Sequence, residues 1–424
     1  MKILIKNGRV IDPSNNRDEI IDVFVEGSVI SKIAKDIKCK ADTLIDATDK
    51  LIIPGLVDLH VHLREPGRED KETVFTATKA ALKAGVTTVL AMPNTVPAMD
   101  SVEHIALLQE VIKKSAQANV LICASITKER LGKEVTQIAE LKKIGAVAIS
   151  DDGASIDNEE VLFQALKKAK EENMLVSCHC EDKALSNNGV VNLGFTSTRL
   201  GLRGISKESE YKRITRDIHL AEKAAAALHI AHVSAQESVE IIARAKKKGI
   251  KVTCEVTPHH FSLSEEAVLD YDTNKKMNPP LRGKGDVEAM RQGLKDGTID
   301  CIASDHAPHT ENEKDIEFER AEFGVIGLET ALAAAITELI ESGLLDWPEL
   351  VRKVSLNPAK ILGIDRGTLS VGQAADIVVV DPKREWEVEK KSFVSKSKNS
   401  AFLGKKLKGI VEYTICNGKV AYPF

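Results

Sequence analysis

Two histidines separated by one residue, His60 and His62, stand at the end of an apolar run that is typical of a buried β-strand. Residues i and i+2 of a strand share a face, so the two imidazoles can bind one metal ion. A lone buried histidine is more often a packing residue, but this pair is the first of several metal-binding residue types that follow apolar runs. The pair therefore predicts a metal site where this strand ends.

The middle of the chain alternates short apolar runs with segments of helical periodicity. The candidate strands cover residues 56–61, 86–92, 120–124, 146–149, 174–177, 228–231, 252–256 and 301–304. The helical segments between them include residues 72–84, 102–114, 158–170 and 235–248. Eight parallel β/α units predict an α/β fold with a TIM-type (β/α)8 barrel. A doubly wound open sheet is the alternative, but no Gly-x-Gly-x-x-Gly turn follows any of these strands.

Both ends of the chain have a different pattern. Residues 2–51 form short alternating segments with hairpin turns at Asn7-Gly8 and Glu26-Gly27, and similar strands return after Gly367. Neither end alone offers enough strands for a stable sheet. We therefore expect one small β-sandwich domain formed by both chain termini, residues 1–52 and 365–424, with the barrel inserted as residues 53–364.

Metal-type residues gather where the predicted barrel strands end, which is the face on which barrel enzymes do chemistry. Six pass this filter: His60, His62, Asp152, His179, His232 and Asp305. Six nitrogen and oxygen ligands are too many for one tetrahedral zinc but suit two ions that share a carboxylate. Two Zn²⁺, two aspartates and a bridging hydroxide leave a formal charge of about +1, which favours an anionic transition state.

Other polar residues near these strands receive different interpretations. His229 and His306 do not alternate in step with His232 and Asp305, so their side chains should point to the opposite face of the strand, and His229 should face away from the barrel axis. His259 and His260 are near the rim but are weaker ligand candidates. Asp58, one layer below the first histidine pair, either orients an imidazole or makes an ordinary polar contact.

Composition excludes several classes of function. The chain has 424 residues, 43% of them hydrophobic, and a net charge of −4 without a basic stripe, so we expect no nucleic-acid partner. There is no signal peptide and no apolar run of about 18 residues, so we expect no membrane association and a cytoplasmic location. The seven cysteines are odd in number and scattered, which indicates reduced packing residues.

Eight segments together resemble the class I dihydroorotases of the amidohydrolase superfamily. They are residues 54–67 (PGLVDLHVHLREPG), 92–95 (MPNT), 150–153 (SDDG), 179–181 (HCE), 231–234 (AHVS), 256–260 (VTPHH), 276–282 (KMNPPLR) and 304–309 (SDHAPH). Many relatives bridge their metals with a carboxylated lysine after strand four. This chain has Asp151-Asp152 there, so Asp152 looks like the bridge, as in class I enzymes.

The resemblance implies a metal arrangement and a reaction. His60, His62 and Asp305 would hold one Zn²⁺, and His179 and His232 the other, with Asp152 and a hydroxide bridging the two ions. Asp305 would act as general base and then general acid. The reaction would be the reversible hydrolysis of dihydroorotate to N-carbamoyl-L-aspartate in de novo pyrimidine biosynthesis.

The resemblance also implies a substrate pocket. Both substrates carry a carboxylate, which Arg64 could bind in bidentate fashion. Asn94, Asn278 and His309 look like the family's other substrate contacts. The alternatives are an exposed ion pair of Arg64 with a nearby glutamate, turn roles for the two asparagines, and a surface position for His309.

The acidic segment 310–323 predicts a mobile rim loop close to the substrate. Glu322 replaces a proline found in some family members, and Gly324 could approach the pyrimidine ring. We expect a small-molecule substrate, a homo-oligomer, and a complex with aspartate transcarbamoylase as a partner to test. Two other functions stay open: a hydantoinase or allantoinase, and a non-catalytic scaffold subunit, which would be expected to lack metal ligands.

Overall fold

The computed structural model describes residues 1–424, and the N-terminal part contains seven strands in two sheets. These are β1 (Lys2–Lys6), β2 (Arg9–Asp12), β3 (Arg17–Ile20), β4 (Asp22–Glu26), β5 (Val29–Ala34), β6 (Thr43–Asp46) and β7 (Leu51–Pro54). A four-stranded sheet has the order β5-β4-β1-β6, and β2, β3 and β7 contribute to a second sheet. The hairpin predicted at Glu26-Gly27 is present, because β4 and β5 pair antiparallel across it. The hairpin predicted at Asn7-Gly8 was wrong, because β1 and β2 lie in different sheets.

The middle of the chain supplies ten strands, of which eight form one parallel sheet. The ten are β8 (Leu56–Val61), β9 (Val86–Ala91), β10 (Asn119–Ala124), β11 (Ala146–Ser150), β12 (Leu175–Cys178), β13 (Val191–Asn192), β14 (Gly204–Ile205), β15 (Leu228–Ile230), β16 (Val252–Val256) and β17 (Cys301–Ile302). The short strands β13 and β14 pair only with each other, and the other eight follow chain order. Val61 forms a parallel bridge with His306, and the amide of His62 donates to the His306 carbonyl at 2.9 Å. These contacts join the first and last strands, which confirms the predicted barrel.

Helices pack around this sheet. They are α1 (Val74–Lys83), α2 (Val102–Ser115), α3 (Ile138–Lys143), α4 (Glu159–Glu171), α5 (Lys183–Ser186), α6 (Phe195–Leu200), α7 (Glu208–Ala224), α8 (Gln236–Lys247), α9 (Pro258–Ser262), α10 (Lys284–Asp296), α11 (Glu311–Lys314), α12 (Leu328–Ala335), α13 (Trp347–Val351) and α14 (Asn357–Leu362). The four helices predicted from periodicity correspond to α1, α2, α4 and α8. Each begins and ends within two residues of its predicted limits because periodic apolar faces and N-terminal caps such as Ser101 are local signals.

The C-terminal strands complete the second sheet. They are β18 (Ile377–Glu387), β19 (Lys406–Cys416) and β20 (Lys419–Tyr422), and the sheet has the order β20-β19-β18-β7-β2-β3. Side chains from both termini share one core, including the fully buried Ile3, Ile52 and Ile377. The two-ended sandwich is therefore confirmed. The domain boundaries at residues 52 and 364 stay a prediction.

The segment between β18 and β19 leaves the sandwich and lies on the barrel rim. Val388, Phe393 and Phe402 share an apolar cluster with Met277 and Phe318, which belong to rim loops. This contact brings the C-terminal part of the chain close to the strand ends. The structure contains no helix with the length and hydrophobicity needed to span a bilayer. All seven cysteines are free, and all except Cys39 are buried.

Candidate metal centre and substrate pocket

The carboxyl ends of β8, β11 and β17 bring two histidines and two aspartates together in a buried cluster. Nε2 of His60 lies 3.2 Å from Oδ1 of Asp152, and Nε2 of His62 lies 3.2 Å from Oδ1 of Asp305. Nε2 of His60 is also 3.7 Å from Oδ1 of Asp305. All four residues are at most 7% exposed. Parallel strands end at one rim, which is why residues so distant in sequence meet here.

Two further histidines close the other side of the cluster. Nδ1 of His179, just beyond β12, lies 2.9 Å from Nε2 of His232, just beyond β15. Nε2 of His232 is 3.7 Å from Oδ1 of Asp152. The backbone of His232 and Asp305 has positive φ, 31° and 45°, a conformation that costs about 1–3 kcal/mol for residues other than glycine. The structure thus brings all six predicted ligands together, five of them in two groups of three that share His60.

The donor set fits a metal ion. Nε2 of His60 and Oδ1 of Asp152 are buried and have no hydrogen-bond partner, although buried polar atoms are normally satisfied. Two groups could hold an ion with ligand atoms within 4.8 Å of one another: His60 with His62 and Asp305, and His60 with Asp152 and His232. Burial opposes the charge of both carboxyls, but the surrounding imidazoles hold the pKa of Asp152 and of Asp305 below its ordinary value. Both aspartates are therefore ionised and able to bind a cation.

Three of the four cluster imidazoles have a partner on the nitrogen that faces away from the centre. Nδ1 of His60 lies 2.7 Å from Oε1 of Glu255, and Nδ1 of His62 lies 2.7 Å from Oδ1 of Asn94. Nε2 of His179 lies 3.2 Å from Oε2 of Glu181. An acceptor on the outer nitrogen holds the proton there and leaves the inner nitrogen free to bind metal. This pattern is the strongest local evidence for a metal centre.

Sequence reasoning assigned no role to Glu255 or Glu181. A signal for the first was present, because Glu255 is the only charged residue of β16 and is buried. Glu255 also contacts His229, whose Nε2 lies 3.2 Å from Oε2 of the same carboxylate. The prediction that His229 faces away from the barrel axis was therefore wrong. The positive φ of His232 interrupts the alternation of side chains along the strand. Counting residues back from His232 therefore gives the wrong face for His229.

Two other predictions about neighbouring residues are resolved by their contacts. The carboxylate of Asp58 accepts hydrogen bonds from the backbone amides of His60 at 3.0 Å and Ser304 at 3.1 Å. It therefore joins the first and last barrel strands and does not orient an imidazole. His260 is satisfied by Thr257 and the Pro279 carbonyl, outside the cluster.

The two adjacent aspartates after β11 have separate roles. Asp151 accepts hydrogen bonds from the amides of Ile126 at 2.9 Å and Thr127 at 3.0 Å, and from the Thr127 hydroxyl. Its oxygens are therefore committed to the preceding loop. Asp152 points its oxygens at the histidines instead, and its carbonyl accepts from Arg130 Nη1 at 2.6 Å.

Arg64 and His309 lie together beside the cluster. Nε of Arg64 donates to the Pro308 carbonyl at 3.1 Å, and its Nη2 lies 3.4 Å from Nε2 of His309. Burial lowers the pKa of Arg64 to about 10, so the guanidinium stays charged at neutral pH. Nδ1 of His309 lies 3.1 Å from the ammonium of Lys71 and 3.3 Å from Oε2 of Glu313. Arg64 and His309 therefore lie side by side, with the guanidinium facing the Nε2 edge of the imidazole.

The alternative interpretation of Arg64 as an exposed ion pair does not match its contacts. Glu65 accepts from the amide of Val74 at 2.8 Å, and Glu69 accepts from the amide of Gly67. The guanidinium faces His309 instead. A planar cation without a carboxylate partner is suited to a ligand carboxylate.

Asn94 and Asn278 both lie close to histidines of the cluster, Asn94 by direct contact and Asn278 through Glu181. Asn94 contacts His62, as described above, and Nδ2 of Asn278 donates to Oε2 of Glu181 at 3.1 Å. Both asparagines therefore border the cluster, which is more than a turn role requires. Their contact with substrate stays a prediction.

The rim segment 310–323 is packed against the barrel. It starts with α11, which Thr310 caps, and its Lys314, Phe318 and Ala321 are buried. Glu322 contributes backbone groups only: its amide donates to the Glu313 carbonyl at 3.2 Å and its carbonyl accepts from Lys314. The mobility predicted for this segment stays a prediction.

Comparison with known proteins agrees with this geometry. Family models described as "Dihydro-orotase-like" and "Amidohydrolase family" match residues 49–238 and 317–422. The chain is 51% identical over 420 residues to a protein named dihydroorotase from Elusimicrobium minutum, covering 99% of this chain and 97% of the relative. It is 49% identical to a dihydroorotase from Geobacter metallireducens, covering 100% of both chains.

Solved structures show the same fold. An L-hydantoinase from Arthrobacter aurescens superposes with a TM-score of 0.89 at 24% identity, covering 99% of this chain and 95% of the other. A dihydropyrimidinase from Brevibacillus agri gives 0.85 at 25% identity with the same coverage. These likenesses support the barrel and sandwich architecture. About half of the residues are identical over the full length to proteins named dihydroorotase, and this chain therefore belongs to the dihydroorotase family of amidohydrolases.

Proposed function

We propose that this chain is a metal-dependent dihydroorotase. It adds water across the ring amide of dihydroorotate, breaking the C–N bond to give N-carbamoyl-L-aspartate, and it catalyses ring closure in the biosynthetic direction. The single observation that carries this proposal is the buried cluster of four imidazoles and two ionised carboxylates beside the neighbouring Arg64 and His309 side chains. A cyclic amide with a ring carboxylate matches this arrangement, because the amide fits the cluster and the carboxylate fits Arg64 and His309.

We propose that the cluster holds two zinc ions. His60, His62 and Asp305 would hold one ion and His179 and His232 the other, and Asp152 would serve both, because these side chains lie within a few ångströms of one another. When bound, the metals polarise the amide carbonyl and make water acidic enough to act as a nucleophile near neutral pH. Cobalt or manganese would accept the same donors, so the identity of the metal is part of the test.

Asp305 is the proposed general base and general acid. Its carboxylate lies between the inner nitrogens of His60 and His62 and keeps its negative charge. It accepts the proton of the attacking water and passes it to the amide nitrogen that leaves the ring. One carboxylate can do both because the proton taken up in the first step is the one delivered in the second.

Arg64 and His309 are proposed to bind the substrate carboxylate, with Asn94 and Asn278 contacting other polar groups of the ring. A guanidinium can bind a carboxylate in bidentate fashion, and the neighbouring imidazole, 3.4 Å away, borders the same position. This pair also separates the proposal from hydantoin hydrolysis, which the solved structural neighbours suggest as the second candidate. Unsubstituted hydantoin has no carboxylate, so it would leave both side chains without a partner.

The test is an assay of metal-analysed enzyme with dihydroorotate and with hydantoin. We expect turnover of dihydroorotate, near-total loss of turnover and reduced metal content in Asp152→Ala, and little change in the exposed control Glu160→Ala. Turnover of hydantoin and none of dihydroorotate would overturn the proposal.

We further propose a homo-oligomeric enzyme in the cytoplasm that can assemble with aspartate transcarbamoylase. A scaffold without catalysis is the less favoured alternative, because a chain that only assembles would not need six intact ligands. Sedimentation of the chain alone and mixed with the transcarbamoylase tests both statements. An inactive protein that still binds the transcarbamoylase would support the scaffold.

A further inference from the structure

Two buried lysines hold the rim loop that lies beside the proposed substrate pocket. Lys276 and Lys314 are only 2% and 5% exposed. Every hydrogen bond that their ammonium groups donate goes to a backbone carbonyl oxygen, and none goes to a carboxylate. Lysine is almost never fully buried unless it is paired, so this arrangement requires an explanation.

Lys276 is bonded to one half of the loop. Its Nζ donates to the carbonyls of Phe318 at 2.8 Å, Glu319 at 3.0 Å and Ala321 at 2.6 Å. An ammonium group has three N–H donors, so all three are used. The ring of Phe323 lies 4.5 Å from the same nitrogen and adds a cation–π contact.

Lys314 is bonded to the other half. Its Nζ donates to the carbonyls of Glu322 at 2.8 Å and Gly324 at 3.0 Å, and to that of Lys276 at 3.3 Å. This last bond links the two lysines, so the loop is held from both sides by one connected set of contacts. We call Lys276 and Lys314 together the lysine clamp.

The loop and the lysine clamp depend on each other. A buried ammonium without hydrogen-bond partners costs several kcal/mol, and the observed path of the loop supplies five of the six carbonyl acceptors. If the loop moved away, both lysines would lose their partners or would have to leave the interior. The clamp therefore favours one loop conformation strongly.

That conformation fixes Gly324 against His309. The amide of Gly324 donates to the Lys276 carbonyl at 3.0 Å, and its φ is 126°. A Cβ atom at this position would lie 3.1 Å from Nε2 of His309, so the backbone passes directly beside that imidazole. Asn399 completes the contact, because its Nδ2 donates to the Gly324 carbonyl at 3.2 Å and its Oδ1 accepts from the His309 amide at 3.2 Å.

We propose that Lys276 and Lys314 are positioning residues for the substrate carboxylate. By holding Gly324 beside His309, they keep the imidazole ring next to Arg64, so that both side chains border one position for a carboxylate. The lysines touch neither the metal cluster nor the proposed carboxylate position themselves. The inference rests on the proposed function, because the carboxylate belongs to the proposed substrate.

The test compares Lys276→Met and Lys314→Met with wild type. Methionine keeps an apolar stem of similar length but donates no hydrogen bond. We expect the KM for dihydroorotate to rise about tenfold or more while kcat changes less than about threefold, because ground-state positioning is lost and the metal centre is not. Metal content should stay at the wild-type value, and trypsin should cleave after Arg320 faster. Arg320→Met, in the same loop but 72% exposed, is the matched control and should keep the wild-type KM.

A second variant tests the same contact without removing a buried charge. Gly324→Ala should raise KM because at a φ of 126° the added methyl group would lie 2.8 Å from Cβ of Ala307 and 3.1 Å from Nε2 of His309, so the backbone beside the imidazole must shift. An unchanged KM in Gly324→Ala would overturn the proposed role of the lysine clamp. That role would also be overturned if both methionine variants kept the wild-type KM and the wild-type resistance to trypsin. Wild-type enzyme that is inactive on dihydroorotate would overturn the proposed function instead, and the trypsin comparison would still report on the clamp.

Discussion

Oε1 of Glu255 lies 2.7 Å from Nδ1 of His60, on the side of the ring opposite to Asp152. The other oxygen of the same carboxylate contacts His229, so the glutamate is itself held in place. Burial opposes its charge, but His60 and His229 lower the pKa of Glu255 to about 2. A fixed negative charge therefore stands behind the imidazole that joins both candidate metal groups.

Glu255→Gln should weaken metal binding. The amide can still accept a hydrogen bond from His60, but it loses the charge that makes the imidazole a better ligand. We expect metal affinity to fall about 10- to 100-fold, with a parallel loss of activity at limiting metal. Competition with a chelating dye measures the affinity, and the exposed Glu240→Gln is the control. Equal metal affinity in wild type and Glu255→Gln would show that the contact between Glu255 and His60 contributes only to packing.

Arg64→Lys should raise the KM for dihydroorotate more than it lowers kcat. An ammonium group cannot make the two parallel bonds of a guanidinium, and the expected loss of about 1.5–3 kcal/mol corresponds to roughly 10- to 150-fold in KM. Steady-state kinetics measure this, with the exposed Arg203→Lys as control. A wild-type KM would place the substrate carboxylate elsewhere.

Glu210→Gln should destabilise the loop that follows β15. Burial opposes the charge of Glu210, but Arg282, the amide and hydroxyl of Ser234 and the hydroxyl of Ser238 hold its pKa below its ordinary value of 4.5. Removing one member of a buried ion pair typically costs about 3–5 kcal/mol. Urea unfolding at pH 7 should show this loss.

The pH dependence of that loss has a definite sign. Because the folded-state pKa of Glu210 is lowered, the charged form stabilises the folded protein fully above the unfolded pKa of 4.5, and this stabilisation is lost as pH falls through the folded value. The difference between wild type and Glu210→Gln should therefore be largest near neutral pH and shrink below about pH 4.5. A difference that grows toward acid pH would contradict the assignment.

Removal of metal should lower thermal stability. A ligand that binds only the folded state adds about 4 kcal/mol at a thousandfold excess over its Kd, and this contribution disappears on chelation. Differential scanning calorimetry of chelated and refilled wild type measures the change, and Asp152→Ala should respond less. An unchanged Tm after verified metal loss would argue against a centre that binds tightly.

The sequence by itself determined much of this protein. The barrel and the two-ended sandwich followed from apolar periodicity, and His60 with His62 followed from strand alternation, because these are local signals. The remaining ligands followed from position, since the carboxyl ends of parallel strands meet at one rim. The bridging role of Asp152 needed the resemblance as well, because Asp151 and Asp152 follow the same strand.

Only the tertiary structure decided which residues support those ligands. Glu255 meets His60 across 195 residues of sequence, and Asn399 meets His309 across 90. Lys276 and Lys314 find carbonyl oxygens that exist as a group only when the loop is folded. His229 was misassigned because His232 has a left-handed backbone conformation, which changes the direction in which the neighbouring side chains point. Long-range contacts leave no periodic trace in a sequence, so their partners become visible only when the chain is packed.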